Sequence, residues 1–274
     1  MNLAEQSIKL IKNLYDPKVE NIIAFSGGKD SVVLYHLAKA TDLKFTYVYS
    51  NTTIDPPGHI GFIRSFFPDV IIKQPKKSFY QIIEHEGLPS RHRRQCCHQL
   101  KEYIGKGSRV FEGVRIDEGV LRGKRLSALL EPESCDTRIK GKIHAYPMLN
   151  WTTNDVWKYT YENHLPWSPW YDLGFERLGC VGCPLTTINQ RIRGYKINPR
   201  YVYATIKAIK KNIDKGGVLK KFFDDPYEAF HWWISEQSVK EHRIWNQGLI
   251  KINYEEEIKK MFPLKKKDYG KDEQ

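Results

Sequence analysis

The stretch that most constrains the fold runs from Ile22 to Tyr35. Ile22 to Phe25 is an apolar run of buried-strand length, Ser26-Gly27-Gly28-Lys29-Asp30-Ser31 is a tight turn, and Val32 onward has helical spacing. Paired glycines between a strand and a helix let several backbone N–H groups converge on one anion. The helix that follows points its positive end at the same place. Lys29 adds a charge, and Ser26 and Ser31 add hydroxyl donors. The turn therefore predicts a phosphate cradle. The Gly-x-x-x-x-Gly-Lys spacing of a Walker A loop is absent.

Around this turn the chain alternates strands and helices. Asn2 to Tyr15 and the stretch from Val32 to about Ala40 read as helices, and Phe45 to Tyr49 as a second strand joined by a parallel crossover. Ligands of such sheets sit at the carboxyl ends of the strands. Asn51 and Thr52, in the polar, proline-bearing run to Pro57, leave the second strand at that edge and are expected to wall the same pocket. Helices are expected at 58–67 and 79–86, and strands at 70–72, 109–112 and 144–149. The densely charged run from Gly113 to Arg125, with Arg115 and Arg122, suits an anionic ligand or else a solvated loop. Thr152, with Asp155 three residues on, caps another helix. The pattern is α/β: a Rossmann-like parallel sheet with helices on both faces over 1–185, and a basic helical extension over 186–274.

The 274 residues hold no apolar run long enough for a membrane helix, and the first residues lack the plan of a signal peptide, so a cytoplasmic location is expected. The net charge is +12, and 185–223 carries ten basic residues against one acid, Asp214. That stretch is either a contact for a polyanion such as nucleic acid or a solvated helical face. The aromatics Phe222, Phe223, Trp232, Trp233 and Trp245 sit at helical spacing and are expected to pack rather than stack on bases.

Five cysteines, Cys96, Cys97, Cys135, Cys180 and Cys183, argue for metal or redox chemistry rather than a disulfide framework. Arg91, Arg93, Arg94 and Lys101 flank the Cys96-Cys97 pair and are expected to lower its thiol pKa values. Cys180-x-x-Cys183 alone fits a zinc knuckle, a redox pair or half of a cluster site. The tandem pair, separated from Cys180 by 82 residues, sharpens the choice. Neighbouring Cβ vectors diverge, which suits the separated corners of a cubane better than one tetrahedral zinc.

The Ser26–Ser31 turn resembles the pyrophosphate (PP) loop of the adenine nucleotide alpha-hydrolase superfamily. The tandem cysteines, the long gap and the Cys-x-x-Cys resemble the iron–sulfur, adenylylsulfate reductase-like branch of the phosphoadenosine phosphosulfate (PAPS) reductase family. Three further stretches match that family: Arg94 to Cys97 with Lys101, Gly113 to Glu118 with Arg122, and Tyr146-Pro147 through Trp151 and Val156-Trp157 to Cys180. The resemblance covers about residues 20 to 185. It implies a 4Fe–4S cluster on Cys96, Cys97, Cys180 and Cys183. It also implies a nucleotide, ATP or a sulfonucleotide (adenylylsulfate or PAPS), held by Ser26 to Ser31, Asn51, Thr52, Gly113 and Arg115. Lys29, Asp30, Arg115 and Arg122 are the implied catalytic set, with Mg2+ helped by Asp30, and the cluster is expected beside the phosphate.

Sulfonucleotide reductases of the family carry a nucleophilic cysteine in a C-terminal Glu-Cys-Gly-Leu-His-like segment, whereas no cysteine follows Cys183 here. Asn51-Thr52-Thr53 stands in place of an Asp-Thr-Gly-like turn, and Gly119 in place of serine. The spare thiol, Cys135, lies among Glu131, Glu133 and Asp136, which disfavour its thiolate. The favoured reading is an ATP pyrophosphatase and sulfurtransferase acting on nucleic acid, as in DNA phosphorothioation, fed by a cysteine desulfurase. The alternatives are a sulfonucleotide reductase supplied by thioredoxin and a non-catalytic nucleotide- or nucleic-acid-binding regulator.

Overall fold

The structure is a computed structural model and describes residues 2–102, 105, 107–119, 143–235, 242 and 252–264. In chain order its elements begin with α1 (Leu3–Leu14), β1 (Asn21–Ala24), α2 (Lys29–Lys39), β2 (Thr46–Ser50), α3 (His59–Phe66) and β3 (Ile71–Lys73). They continue with α4 (Phe79–Glu86), α5 (Gln95–Leu100), β4 (Arg109–Phe111), β5 (Ile143–Ala145) and α6 (Thr153–Glu162). The helices described after these are α7 (Ile188–Ile197), α8 (Arg200–Asp214), α9 (Pro226–Ser235) and α10 (Tyr254–Met261). None of the described helices is long and apolar enough to cross a membrane.

The chain builds two units, divided differently from the single break near 185 expected from the sequence. One comprises Met1–Asn51, Gly58–Gln74 and Glu102–Gly179; the other comprises Thr52–Pro57, Pro75–Lys101 and Cys180–Gln274. The short Thr52–Pro57 piece joins the second unit because Ile54 is fully buried in that unit's apolar cluster. The Ile54 carbonyl accepts from the Val181 N–H at 2.8 Å, and the Asp55 carbonyl from the Tyr201 hydroxyl at 2.9 Å.

The first unit is a five-stranded parallel sheet in the order β3-β2-β1-β4-β5, a Rossmann-like α/β arrangement. Ile23 lies in register with Tyr47 on one side and Phe111 on the other. These three share one apolar cluster with residues of α1, α2, α3 and α6. Strand alternation turns Ile22, Val48 and Val110 away into a second, smaller cluster. Helices α1, α2, α3 and α6 all contribute to the first cluster, and the parallel sheet with helices around it is the α/β arrangement expected from the sequence. The strand order reverses between β1 and β4, and the carboxyl ends of strands flanking such a switch point form a ligand crevice. Ser26 to Ser31 leaves β1 there.

The strands lie within a residue or two of expectation, except that β5 ends at Ala145 and Tyr146 to Asn150 turn. Pro147 has no N–H to continue a ladder. In the second unit α8 is the hub. Val202, Ile206, Ile209 and Ile213 recur at helical spacing and bury against α4 and α9. Asn212, fully buried, donates to the Ile83 and Glu84 carbonyls at 3.2 and 3.1 Å. It thereby satisfies acceptors that the end of α4 leaves open. Phe223 and Trp233 pack as expected, Phe222 is exposed, and Trp245 lies outside the described residues.

Candidate functional site

Gly28 caps the N-terminus of α2, and the Val32 N–H makes the first helical bond to its carbonyl at 3.0 Å. The amides of Lys29, Asp30 and Ser31 are therefore the donors that a helix start leaves open. The Lys29 N–H is taken by the Tyr171 hydroxyl at 3.0 Å, whereas those of Asp30 and Ser31 have no acceptor among the described residues. The two serine hydroxyls, expected to donate to an anion, shape the loop instead. Ser31 Oγ accepts from the Ser26 N–H at 3.1 Å and donates to the Gly28 carbonyl at 2.9 Å, while Ser26 Oγ accepts from the Gly28 N–H at 3.3 Å. Behind the loop, buried His59 places Nε2 2.9 Å from the Ser26 carbonyl. Gly27 has φ +68°, and a Cβ there would stand 2.5 Å from the His59 ring. Only glycine fits.

Lys29 is 4% exposed, with Nζ donating to Asp30 Oδ2 at 3.2 Å and to the Glu176 carbonyl at 3.4 Å. Arg115 is 2% exposed and donates Nε to Asp30 Oδ1 at 2.7 Å. Its Nη1 reaches Asp117, the Trp151 carbonyl and Thr153 Oγ1 at 3.2 to 3.4 Å. Arg115 thus turns into the protein and braces Asp30 rather than lining the cavity. Asp117 also accepts from the Thr153 N–H and hydroxyl, which with Arg115 hold its carboxyl below the usual range. At Gly113 a Cβ would lie 2.9 Å from the Asp30 carbonyl, so the segment that follows β4 approaches α2 this closely only through glycine.

A cavity of about 240 Å³ opens over the loop, bounded by Ser26, Gly28, Asp30, Ser31 and Gly113. Its other wall holds Glu112, Glu118, Tyr171 and Arg177. Glu118 pairs with Arg177 at 3.6 Å and Glu112 with His144 at 3.3 Å. Ligand cavities commonly span roughly 300–1,000 Å³, so this one suits a phosphate group more than a whole nucleotide. Asn51 binds Gln74 Oε1 through its side-chain amide at 2.7 Å and does not line the cavity. Arg122 and Cys135 lie outside the described residues.

The second unit contains Cys96, Cys97, Cys180 and Cys183, all half-buried and unbridged. The tandem pair sits on α5, a helix the sequence reading did not anticipate. Cys180 Sγ donates to Thr52 Oγ1 at 3.4 Å, and Thr52 in turn donates to Asp55 at 2.6 Å. Thr52, expected in the nucleotide pocket wall, is thus placed against a cysteine sulfur. The expected lowering of the thiol pKa values in the tandem pair is overturned at Cys96. Cys96 is pushed far up by its hydrogen bond with Cys97, by burial and by the other thiols, and Cys180 is raised chiefly by burial. Lys101 counters this at Cys180, and its own ammonium is held above the ordinary range first by Cys180, then by Asp55, Cys183 and Cys97. Arg91 meanwhile donates to the Thr186 carbonyl.

Among the described residues no three His, Cys, Asp or Glu side chains are grouped to grip one metal ion. With Cys96 and Cys180 both pushed up, partly by neighbouring thiols, four thiolates in one unit need a strong local positive charge. In number and chemistry they fit an iron–sulfur cluster.

The family model for the phosphoadenosine phosphosulfate reductase domain matches residues 20–186, more than half of the chain. The chain belongs to the PAPS reductase family. Another protein related to this PAPS reductase-family chain, an uncharacterized one from Methanocaldococcus jannaschii, is 30% identical over 238 residues, covering 81% of this chain and 56% of that one. An adenosine 5'-phosphosulfate reductase of Bacillus cereus is 27% identical over 180 residues, covering 61% of this chain and 74% of that one. The crystal structure of a PAPS reductase from Candida auris aligns with TM-score 0.48 at 16% identity, over 66% of this chain and 88% of that one. The chain spans roughly half the length of the first curated relatives it matches, 56% and 40%.

Sequence reasoning missed His59, Glu112, Tyr171 and Arg177 in this member of the PAPS reductase family. Glu112 had a signal, the end of a strand at the ligand edge. Tyr171 and His59 meet the loop from 142 and 33 residues away, and no local pattern encodes that.

Proposed function

We propose that this chain is an adenine-nucleotide enzyme of sulfur chemistry that cleaves ATP between its α- and β-phosphates, activating a nucleic-acid oxygen for replacement by sulfur. The observation that carries the reading is the cradle itself. Open Asp30 and Ser31 amides at a helix N-terminus, with the carboxylates of Glu112 and Glu118 across the cavity, suit a magnesium-bound pyrophosphate better than a metal-free sulfonucleotide anion. Mg2+ asks little of the protein, binding through one or two carboxylates, several waters and the substrate's phosphates.

In the reaction an acceptor oxygen attacks the α-phosphorus. The bond from that phosphorus to the α–β bridging oxygen breaks, and pyrophosphate leaves with the electron pair. The open amides of Asp30 and Ser31 stabilise the charge developing on it, while Lys29 holds Asp30 in place. Sulfur at the sulfide level, released from a persulfide by a thiol reductant, then attacks the activated atom, and AMP leaves with the former acceptor oxygen. Cys96, Cys97, Cys180 and Cys183 would hold a 4Fe–4S cluster, which when bound would supply one-electron redox chemistry, each iron being closed by a thiolate. For a nucleic-acid acceptor the 185–223 stretch offers fewer free charges than its sequence promised. Lys210, Lys211, Lys215 and Lys220 are paired with acids and Arg191 is buried against Trp233, while Lys196, Lys207 and Lys221 have no ion pair among the described residues.

A second reading, reduction of a sulfonucleotide to sulfite, draws on the kinship to proteins named adenosine 5'-phosphosulfate reductase. The deciding experiment incubates cluster-reconstituted protein with Mg-ATP and nucleic acid, and separately with adenylylsulfate and a thiol. Pyrophosphate release in the first arm supports the proposal. Sulfite in the second arm without pyrophosphate in the first replaces it with the reductase reading.

A further inference from the structure

The segment from Tyr171 to Leu178 engages the phosphate loop twice. The Tyr171 hydroxyl oxygen accepts from the Lys29 N–H at 3.0 Å, and the Glu176 carbonyl accepts from Lys29 Nζ at 3.4 Å. The Leu178 N–H bonds the same phenol oxygen. Trp157 sets its ring edge-on to Tyr171, centroids 5.1 Å apart at 89°, and so fixes where the hydroxyl points. That hydroxyl stands 3.3 Å from where a Gly28 Cβ would be, on the wall of the cavity over the cradle.

The bookkeeping of donors is what matters here. A phenol has one O–H to give and can accept through its oxygen. In Tyr171 the accepting side is filled by backbone amides, and no acceptor among the described residues takes the proton. One of the cradle's three first-turn amides is spent on a phenol whose own O–H is left to donate.

We propose that Tyr171 is an anion-binding residue of this site, passing the hydrogen bond of the Lys29 amide on to a phosphate oxygen through its own O–H. The inference rests on the reading of Ser26 to Ser31 as a phosphate cradle and names a ligand contact outside that loop. The ligand class is the pyrophosphate portion of a nucleotide. Burial pushes the phenol up to about 12, so it keeps its proton at any working pH.

The test uses the full-length chain and inorganic pyrophosphate with Mg2+, followed by calorimetry. Tyr171→Phe keeps the ring and its packing on Trp157 and is expected to bind pyrophosphate about tenfold more weakly or worse. A role confined to accepting the Lys29 N–H is separated by placing 3,5-difluorotyrosine, a more acidic phenol, at 171. Its phenolate accepts from the amide more strongly but has no proton to give. Pyrophosphate affinity should therefore fall as pH rises through the substituted phenol's titration, relative to wild type, at a temperature where the ligand-free variant stays folded at every pH. An affinity that holds or rises across that titration overturns the proposal, as does wild-type affinity in Tyr171→Phe. If the wild-type protein binds neither pyrophosphate nor ATP, the cradle reading fails and Tyr171 falls with it. If the wild type binds and both variants match it, Tyr171 alone is wrong.

Discussion

At the scale of single residues the loop is held by contacts that substitution can break one at a time. Gly27→Ala puts a side chain at positive φ and into the His59 ring. Strain of this kind costs about 1–3 kcal/mol, and we expect a lowered unfolding midpoint together with lost nucleotide binding, read by thermal denaturation and calorimetry. Asp30→Asn leaves Arg115 and Lys29, both nearly fully buried, without their shared carboxylate. We expect a loss of about 2–3 kcal/mol in chemical denaturation. Much of this residue-level picture was legible in advance. Ser-Gly-Gly-Lys-Asp-Ser between a strand and a helix announced an anion cradle, and open amides are found there. The partners were not legible. Arg115 was expected to face the ligand and instead braces Asp30, because three further acceptors, from Asp117, Trp151 and Thr153, surround its guanidinium.

At the scale of elements, helix starts tie the site to pH. Thr152 and Asp155 form a capping box at α6, and Asp117 accepts from the Thr153 N–H one residue inside it. Asp155 is held below the usual carboxylate range first by the Thr152 hydroxyl, and Asp117 first by the Thr153 amide. Both are ionised more readily when folded than when unfolded, where aspartate titrates near 3.9. Their stabilisation is therefore complete above about pH 4 and is lost as pH falls through the lower folded values. Thermal midpoints measured down through that range should drop, and Thr152→Ala should lower the midpoint at neutral pH by about 1 kcal/mol of stability while flattening the acid limb. The strands and most helices were readable from apolar spacing. Helix α5 was not, since six residues rich in polar and sulfur side chains carry no periodic signal.

At the scale of the whole molecule, the thiols make the clearest forecast. Anaerobic reconstitution with iron and sulfide is expected to give about four irons per chain and broad visible absorbance, the composition of a cubane on four thiolates. Cys96→Ser or Cys183→Ser should lower both, and a single tightly bound zinc in their place would refute the assignment.

The interleaving of the two units has a consequence for how this chain comes to be folded. Its path passes from one unit to the other at 51/52, 57/58, 74/75, 101/102 and 179/180. A ribosome that has released only the first hundred residues has therefore delivered β1 to β3 but not β4 or β5, and Cys96 and Cys97 without Cys180 and Cys183. Neither half can close early. Pairings this distant in sequence slow folding, because loop-closure entropy must be met before the contacts that repay it exist. Truncation near residue 185 would not excise an independent module; it would strip α4 and α5 of the helices they pack with. Pulse-labelling of nascent chains should accordingly show no protease resistance until residue 179 has emerged, and resistance of the second unit only once the chain is nearly complete.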